Sequence, residues 1–172
     1  MKRPLEFDVE KLTTEQLAVY QDIVERRGSI PEPHKIWLIR PELARHAQEL
    51  GWYLQRHAAL PARLSEFATL LIGQHWRAEY VWHAHKPRAV EAGLPAAVIA
   101  AIEEQRQPET MEKDEALVYE FVTRLNEDRK LSPELYAKAL KILGQDGVVD
   151  LTGIVGYFSL IAATIKVFEI IP

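Results

Sequence analysis

Between Glu66 and His85 the chain reads EFATLLIGQHWRAEYVWHAH. Three of its six histidines fall here, His75, His83 and His85, together with Glu66 and Glu79 and the aromatic residues Trp76, Tyr80 and Trp82. Carboxylate and imidazole set among aromatics are what a proton-transfer site needs, because a partly apolar surround moves their pKa values toward neutrality. The same pattern also suits a core helix whose polar members are hydrogen-bonded interior groups, so both readings stand at this point.

On one regular helix His75, Glu79 and His83 lie at i, i+4 and i+8 and share a face flanked by Trp82 and Lys86. His85 lies about 200° around from His83, so these two cannot serve one site from a single helix. A metal held by His75, Glu79 and His83 would need ligands spread over about 12 Å, too far to converge unaided, and the spacing is not that of the His-Glu-x-x-His hydrolases. No metal is therefore expected. The chain has no cysteine, which excludes a thiol nucleophile, a thiolate metal site and dithiol redox chemistry.

The elements that must position these residues read as helices throughout, so the class is all-α. Thr13 or Thr14 caps a helix to about Arg27, stopped by Gly28, with Leu12, Tyr20, Ile23 and Val24 as its apolar stripe. GSIPEPHK, residues 28–35, reads as a proline-stiffened loop lying on the body as an arm. Helices are expected at 41–57, 61–73, 75–92, 95–104, 114–129, 132–143 and 148–169, with Pro87 kinking the one it lies in and Gly144 and Gly147 breaking the chain. The last segment is apolar nearly all round and predicts a helix buried in the domain or between subunits, where Gly153 and Gly156 admit another backbone. The division is an N-terminal helix and arm over 1–35 and a helical domain over 36–172.

The 172 residues, 48% hydrophobic and 27% charged, fit one globular domain. A net charge of −4 with dispersed basic residues argues against nucleic acid. No run comes near the roughly 18 apolar residues that span a bilayer. Lys2 and Arg3 are not followed by an apolar stretch, so no secretory leader is expected and the reading is cytoplasmic.

From Ile30 onward the chain resembles the carboxymuconolactone decarboxylase family, within the alkylhydroperoxidase-like superfamily. The blocks that carry the resemblance are IPEPHKIWLIRPELARHAQELGWYLQ, LPARLSEFATLLIGQHWRAEYVWHAH, KPRAVEAGLPAAVIAAI and DLTGIVGYFSLIAATIKVFEI, in that order. The resemblance implies a bundle of about seven to eight helices. Redox members carry Glu, eleven residues, Cys-x-x-Cys, three residues and His. Laid on this chain, the Glu falls on Glu66 and the His on His85, nineteen positions apart, and the cysteine positions fall on Ala78 and Val81. Thiol peroxidase chemistry is thereby excluded. The cysteine-free decarboxylase members, with a similar Ala-Glu-Tyr-x-Trp-x-x-His pattern, are the better likeness. Two departures stand out: Lys166 where asparagine is common, and His34 where the proline loop commonly has an aromatic residue.

The resemblance implies a cofactor-free lyase acting on a small carboxylated lactone or related acid. Glu66, Glu79, His83 and His85 would handle protons, with His75, Tyr80, Trp82, Arg77, Lys86 and Lys166 toward the substrate and Arg63 or Arg40 as further carboxylate holders. It also implies a homotrimer or homohexamer. The alternatives are a non-thiol oxidoreductase of the wider superfamily, for which no flavin, haem or metal motif is visible, and a catalytically silent oligomeric binding protein.

Overall fold

The computed structural model describes residues 7–172, so the Lys2–Arg3 start lies outside the described residues. After a 3-10 turn at Val9–Lys11 the fold is eight α-helices with no strand among the described residues: α1 Thr14–Arg27, α2 Glu32–Trp37, α3 Pro41–Arg56, α4 Ala62–His75, α5 Glu79–Glu91, α6 Ala96–Glu103, α7 Lys113–Asp128 and α8 Pro133–Phe168. The all-α expectation holds.

Helix starts follow the sequence closely. Thr13 and Gln16 form a reciprocal capping box on α1, Ser132 caps α8 with Pro133 in its first turn, and Pro41 opens α3. The expected loop at 28–35 is corrected in its second half. Pro31 and Pro33 begin α2, because a proline in the first turn gives up only amides that have no helical partner. The boundary expected between the helices at 61–73 and 75–92 lies later, at Trp76–Ala78, so His75 ends α4 instead of opening α5. Pro87, expected to kink or end the second, lies inside α5, which runs on to Glu91.

At the centre, α4 packs against α5, α7 and α8, and its Leu64, Phe67, Leu70 and Ile72 are fully buried with Phe121, Leu151 and Ile154. The N-terminal helix α1 lies on α3, and α2 on α3 and α8, where the Trp37 indole N–H donates to Thr164 Oγ1 at 2.9 Å in the interior.

The break expected at Gly144 and Gly147 is at Gly144 alone, where φ 71° and ψ 176° interrupt α8. Gly153 faces the Leu54 side chain rather than a backbone, and Gly156 faces open space, so the close backbone approach expected there does not occur. By length and composition α8 could cross a membrane, with a mean hydropathy of 1.8 over an 18-residue window, contrary to the expectation that no run comes near. Asp150 and the glycines interrupt the run without lowering that mean enough. Of that window, 61% is buried inside the fold. Val149, Leu160 and Val167 remain uncovered, at 64%, 41% and 58% exposure, so the helix is not sealed all round.

Two glycines of α8 test backbone against packing, since neither has an atom within 4 Å of an added Cβ. Gly144→Ala is expected to cost about 1–3 kcal/mol, its φ/ψ being open essentially to glycine alone. Gly156→Ala, in regular helix, is expected to stabilise by about 0.5–1 kcal/mol. Urea unfolding of both variants checks the opposite signs.

Candidate active site

Helix α4 ends in a turn that aims α5 back along it. The Ala78 amide bonds the Gly73 carbonyl at 2.8 Å and the Arg77 amide bonds the Gln74 carbonyl at 3.0 Å, a Schellman closure. The residue that must turn left-handed is Arg77, at φ 49°, and its carbonyl accepts from Lys166 Nζ. Past the turn, Val81, His85 and Ala89 fall at i, i+4 and i+8 and are all buried. His85 thus occupies the core-facing stripe of α5. Its ring stands edge-on to Phe158, centroids 4.9 Å apart.

A buried imidazole needs a partner. The His85 Nδ1–H donates to Glu66 Oε2 of α4 at 2.7 Å, with both side chains largely covered, at 10% and 17% exposure. The carboxylate fixes the tautomer and leaves Nε2 as the nitrogen available to a bound molecule.

His85 lines a cavity of about 720 Å³ between α1, α2, α5 and α8, whose apolar wall includes Ile30, Val81, Phe158 and Ile161. Its polar wall holds Arg27, His34, Tyr80, Arg88 and Tyr157. The Tyr80 hydroxyl accepts from the Glu32 amide at 3.2 Å, tying α2 to α5. His34 is 2% exposed, lies against Trp37 with centroids 4.9 Å apart, and has no hydrogen-bond partner at either ring nitrogen. Burial, aided by the Arg27 charge, pushes it down to about 3, so it is neutral near pH 7. Burial, opposed by Arg27, pushes the Tyr157 phenol up to about 12 and keeps it protonated. A second recess of about 480 Å³ is lined by Glu66 with Arg56 and shares Arg27, Gln55 and Arg88 with the first.

The other candidate residues lie elsewhere. The shared face of His75, Glu79 and His83 does not form, because the turn at Arg77 puts His75 at the end of α4 and Glu79 at the start of α5. All three are exposed, and the His83 Nδ1 bonds the Glu79 carbonyl at 2.8 Å. Among the described residues no three His, Asp or Glu side chains gather as a metal-sized group. Trp82 is buried with Lys86 Nζ 5.7 Å from its ring centroid, and Lys86 bonds Glu103 at 2.8 Å. Lys166 serves the Arg77 carbonyl. Arg63 is bound to Glu115 and to Asp114, and Arg40 is the exposed residue before α3. Of the residues singled out in the sequence, His85 and Tyr80 line this cavity, and Glu66 is joined to it through its bond to His85. Arg27, Arg88 and Tyr157 are not among the residues expected from the sequence, and His34 stands there only as a departure from the family pattern. One signal was available for Arg27: four residues after Ile23, it continues the apolar stripe of α1.

No known protein-family model matches the chain, and no curated protein sequence matches it.

The buried His34 has a consequence for acid stability. The charged and titratable groups sharing its cavity are Arg27 and Arg88, Glu32 and Lys35, His85, and the phenols Tyr80 and Tyr157. The unfolded chain takes up a proton at this residue near pH 6.5, whereas the folded chain does so only near 3. Stability is therefore full above that upper value and falls as pH drops toward the lower one. Relative to His34→Phe, the native chain should lose up to about 1.4 kcal/mol per pH unit across this window. Urea titrations at several pH values check it; parallel curves would refute it.

Proposed function

We propose that this chain is a cytoplasmic, cofactor-free proton-transfer enzyme, a lyase of the carboxymuconolactone-decarboxylase type acting on a small carboxylated lactone or related acid. The observation that carries the reading is the Glu66–His85 hydrogen bond, 2.7 Å long, at the wall of the 720 Å³ cavity. These two residues fall on the Glu and His of the superfamily's redox members, and His85 also ends the Ala78–His85 pattern that resembles the decarboxylase members. In the proposed reaction the bond between the ring carbon and the carboxylate breaks and CO₂ leaves. The electron pair is taken up by the conjugated lactone as a dienolate. One proton, delivered from His85 Nε2, completes the product, and solvent restores it to the imidazole. Glu66 orients the ring and balances its charge in the protonated state.

His85 does this work in the proposal because it faces the cavity. Glu79 and His83 have no comparable support, being exposed on the far side of α5. As a further part of the reading, subunits associate into a trimer or hexamer through the uncovered Val149, Leu160 and Val167 of α8. Light scattering on the purified protein would sink that part if it gave a monomer.

The test of the reaction is turnover of 4-carboxymuconolactone by folded, metal-analysed protein. Turnover is expected, abolished by His85→Ala and reduced by about 10²–10⁴-fold in Glu66→Gln. No turnover by the folded protein, or full activity without His85, would overturn the reading.

A further inference from the structure

Arg27 is a cation held by neutral groups. From the C-terminal turn of α1 its Nε donates to Gln48 Oε1 and its Nη1 to Gln55 Oε1. Its Nη2 is buried with no hydrogen-bond partner, and no ion pair among the described residues engages it. Burial and then the Arg88 and Arg56 guanidiniums, opposed by Tyr157, pull Arg27 below its ordinary value. A guanidinium nevertheless stays charged in proteins. A partly buried charge without a counter-ion is costly, and an anion placed against it repays that cost.

Beside it, a pocket end is already built. Gly51 of α3 leaves the room: a Cβ there would lie 3.1 Å from Arg27 Nη2 and would overlap the Tyr157 hydroxyl. Arg27 Nη2 and the Tyr157 hydroxyl therefore converge over this one notch, and that hydroxyl has no hydrogen bond among the described residues. His34, nearly fully buried, lines the same cavity with both ring nitrogens free. Lys35, the cation that α2 brings to this cavity, is bound to Glu32. The set at this end is thus the Arg27 charge with two neutral donors, an imidazole and a phenol, while the cavity's second guanidinium, Arg88, lines it from the exposed side of α5. The wall leading away from it toward His85 is apolar, through Ile30, Phe158 and Ile161.

We infer that the Arg27 end of this cavity is a carboxylate-binding subsite, seating the carboxylate of an acid with an apolar or unsaturated body on Arg27 Nη2, His34 and Tyr157. An unpartnered guanidinium N–H with neutral donors beside it suits a carboxylate, which accepts a charge-assisted bond there. The body then extends along the apolar wall to His85. The inference rests on the proposed function only in taking this cavity as the substrate site. Arg27 also precedes Ile30, outside the stretch that resembles the decarboxylase family, so it carries this assignment by itself.

Equilibrium binding of benzoate, against neutral benzamide and inorganic phosphate, tests it without any turnover. Calorimetry on the native chain should show benzoate bound at least about tenfold more tightly than benzamide, the scale of one charge-assisted contact. Arg27→Gln should lose about tenfold or more of the benzoate affinity, and Glu66→Gln should keep it. Should Arg27→Gln not fold, the histidine ¹⁵N resonances of the native chain decide. The His34 signal, assigned with His34→Phe, must move on adding benzoate and not on adding benzamide. Equal affinity for the two probes, binding of phosphate alone, an Arg27→Gln variant that binds normally or an unmoved His34 signal would each overturn the subsite. Turnover failing while benzoate binds would overturn the reaction and leave the subsite standing. Turnover without benzoate binding would do the reverse.

Discussion

A titratable side chain on the core-facing stripe of a helix brings its partner inside with it, or the helix does not pack. His85 imposes that condition on α5, and the arrangement of α4, α5 and α8 around it follows. Val81 and Ala89 bury the stripe on either side, Phe158 closes over the ring edge, and Glu66 must come from α4 at hydrogen-bond distance. The turn at Arg77 makes this possible, because only a sharp reversal brings residues nineteen positions apart face to face. The Lys166 ammonium then caps the exposed carbonyl of that turn, so the far end of α8 secures the hairpin that the middle of α8 packs against.

The cavity beside the pair draws on parts of the chain that are distant in sequence and different in character. Helix α1 supplies a guanidinium, α2 a neutral imidazole, α5 the Glu-bound imidazole and α8 a phenol and an aromatic edge. Polarity is unevenly spread along it: donors without partners gather near Gly51, and the hydrogen-bonded pair sits away from them across apolar surface. A low-polarity interior strengthens each of these groups electrostatically, and it raises the cost of leaving any of them unsatisfied.

Helix starts were legible in the sequence because their signals are local. Thr13, Ser132 and the first-turn prolines act through the backbone within one turn of themselves. The helix end near Gly73 was legible, but its place at His75, with the turn at Trp76–Ala78, was not. Its left-handed residue is an arginine, and nothing in the local sequence distinguishes Arg77 from a helical arginine. Setting the boundary a few residues early moved His75 into the second helix and created a His75, Glu79, His83 face that does not exist. Likewise, Pro31 and Pro33 carried a loop signal that a helix start shares. Glu66 with His85 was legible through spacing and resemblance together. Arg27 was not, because its role depends on α3 glutamines far along the chain, and no pattern within α1 encodes them.

Arg77 has company. Gln105, Arg129 and Glu169 also hold positive φ, at 57°, 60° and 53°, each just past the end of a helix. A side chain in this region carries a backbone penalty of roughly 1–2 kcal/mol that glycine escapes. Four such sites mean that the sequence stands below the stability its own backbone permits. In evolutionary terms the fold has headroom: drift toward glycine at any one of these ends could offset a destabilising change made elsewhere for the sake of chemistry.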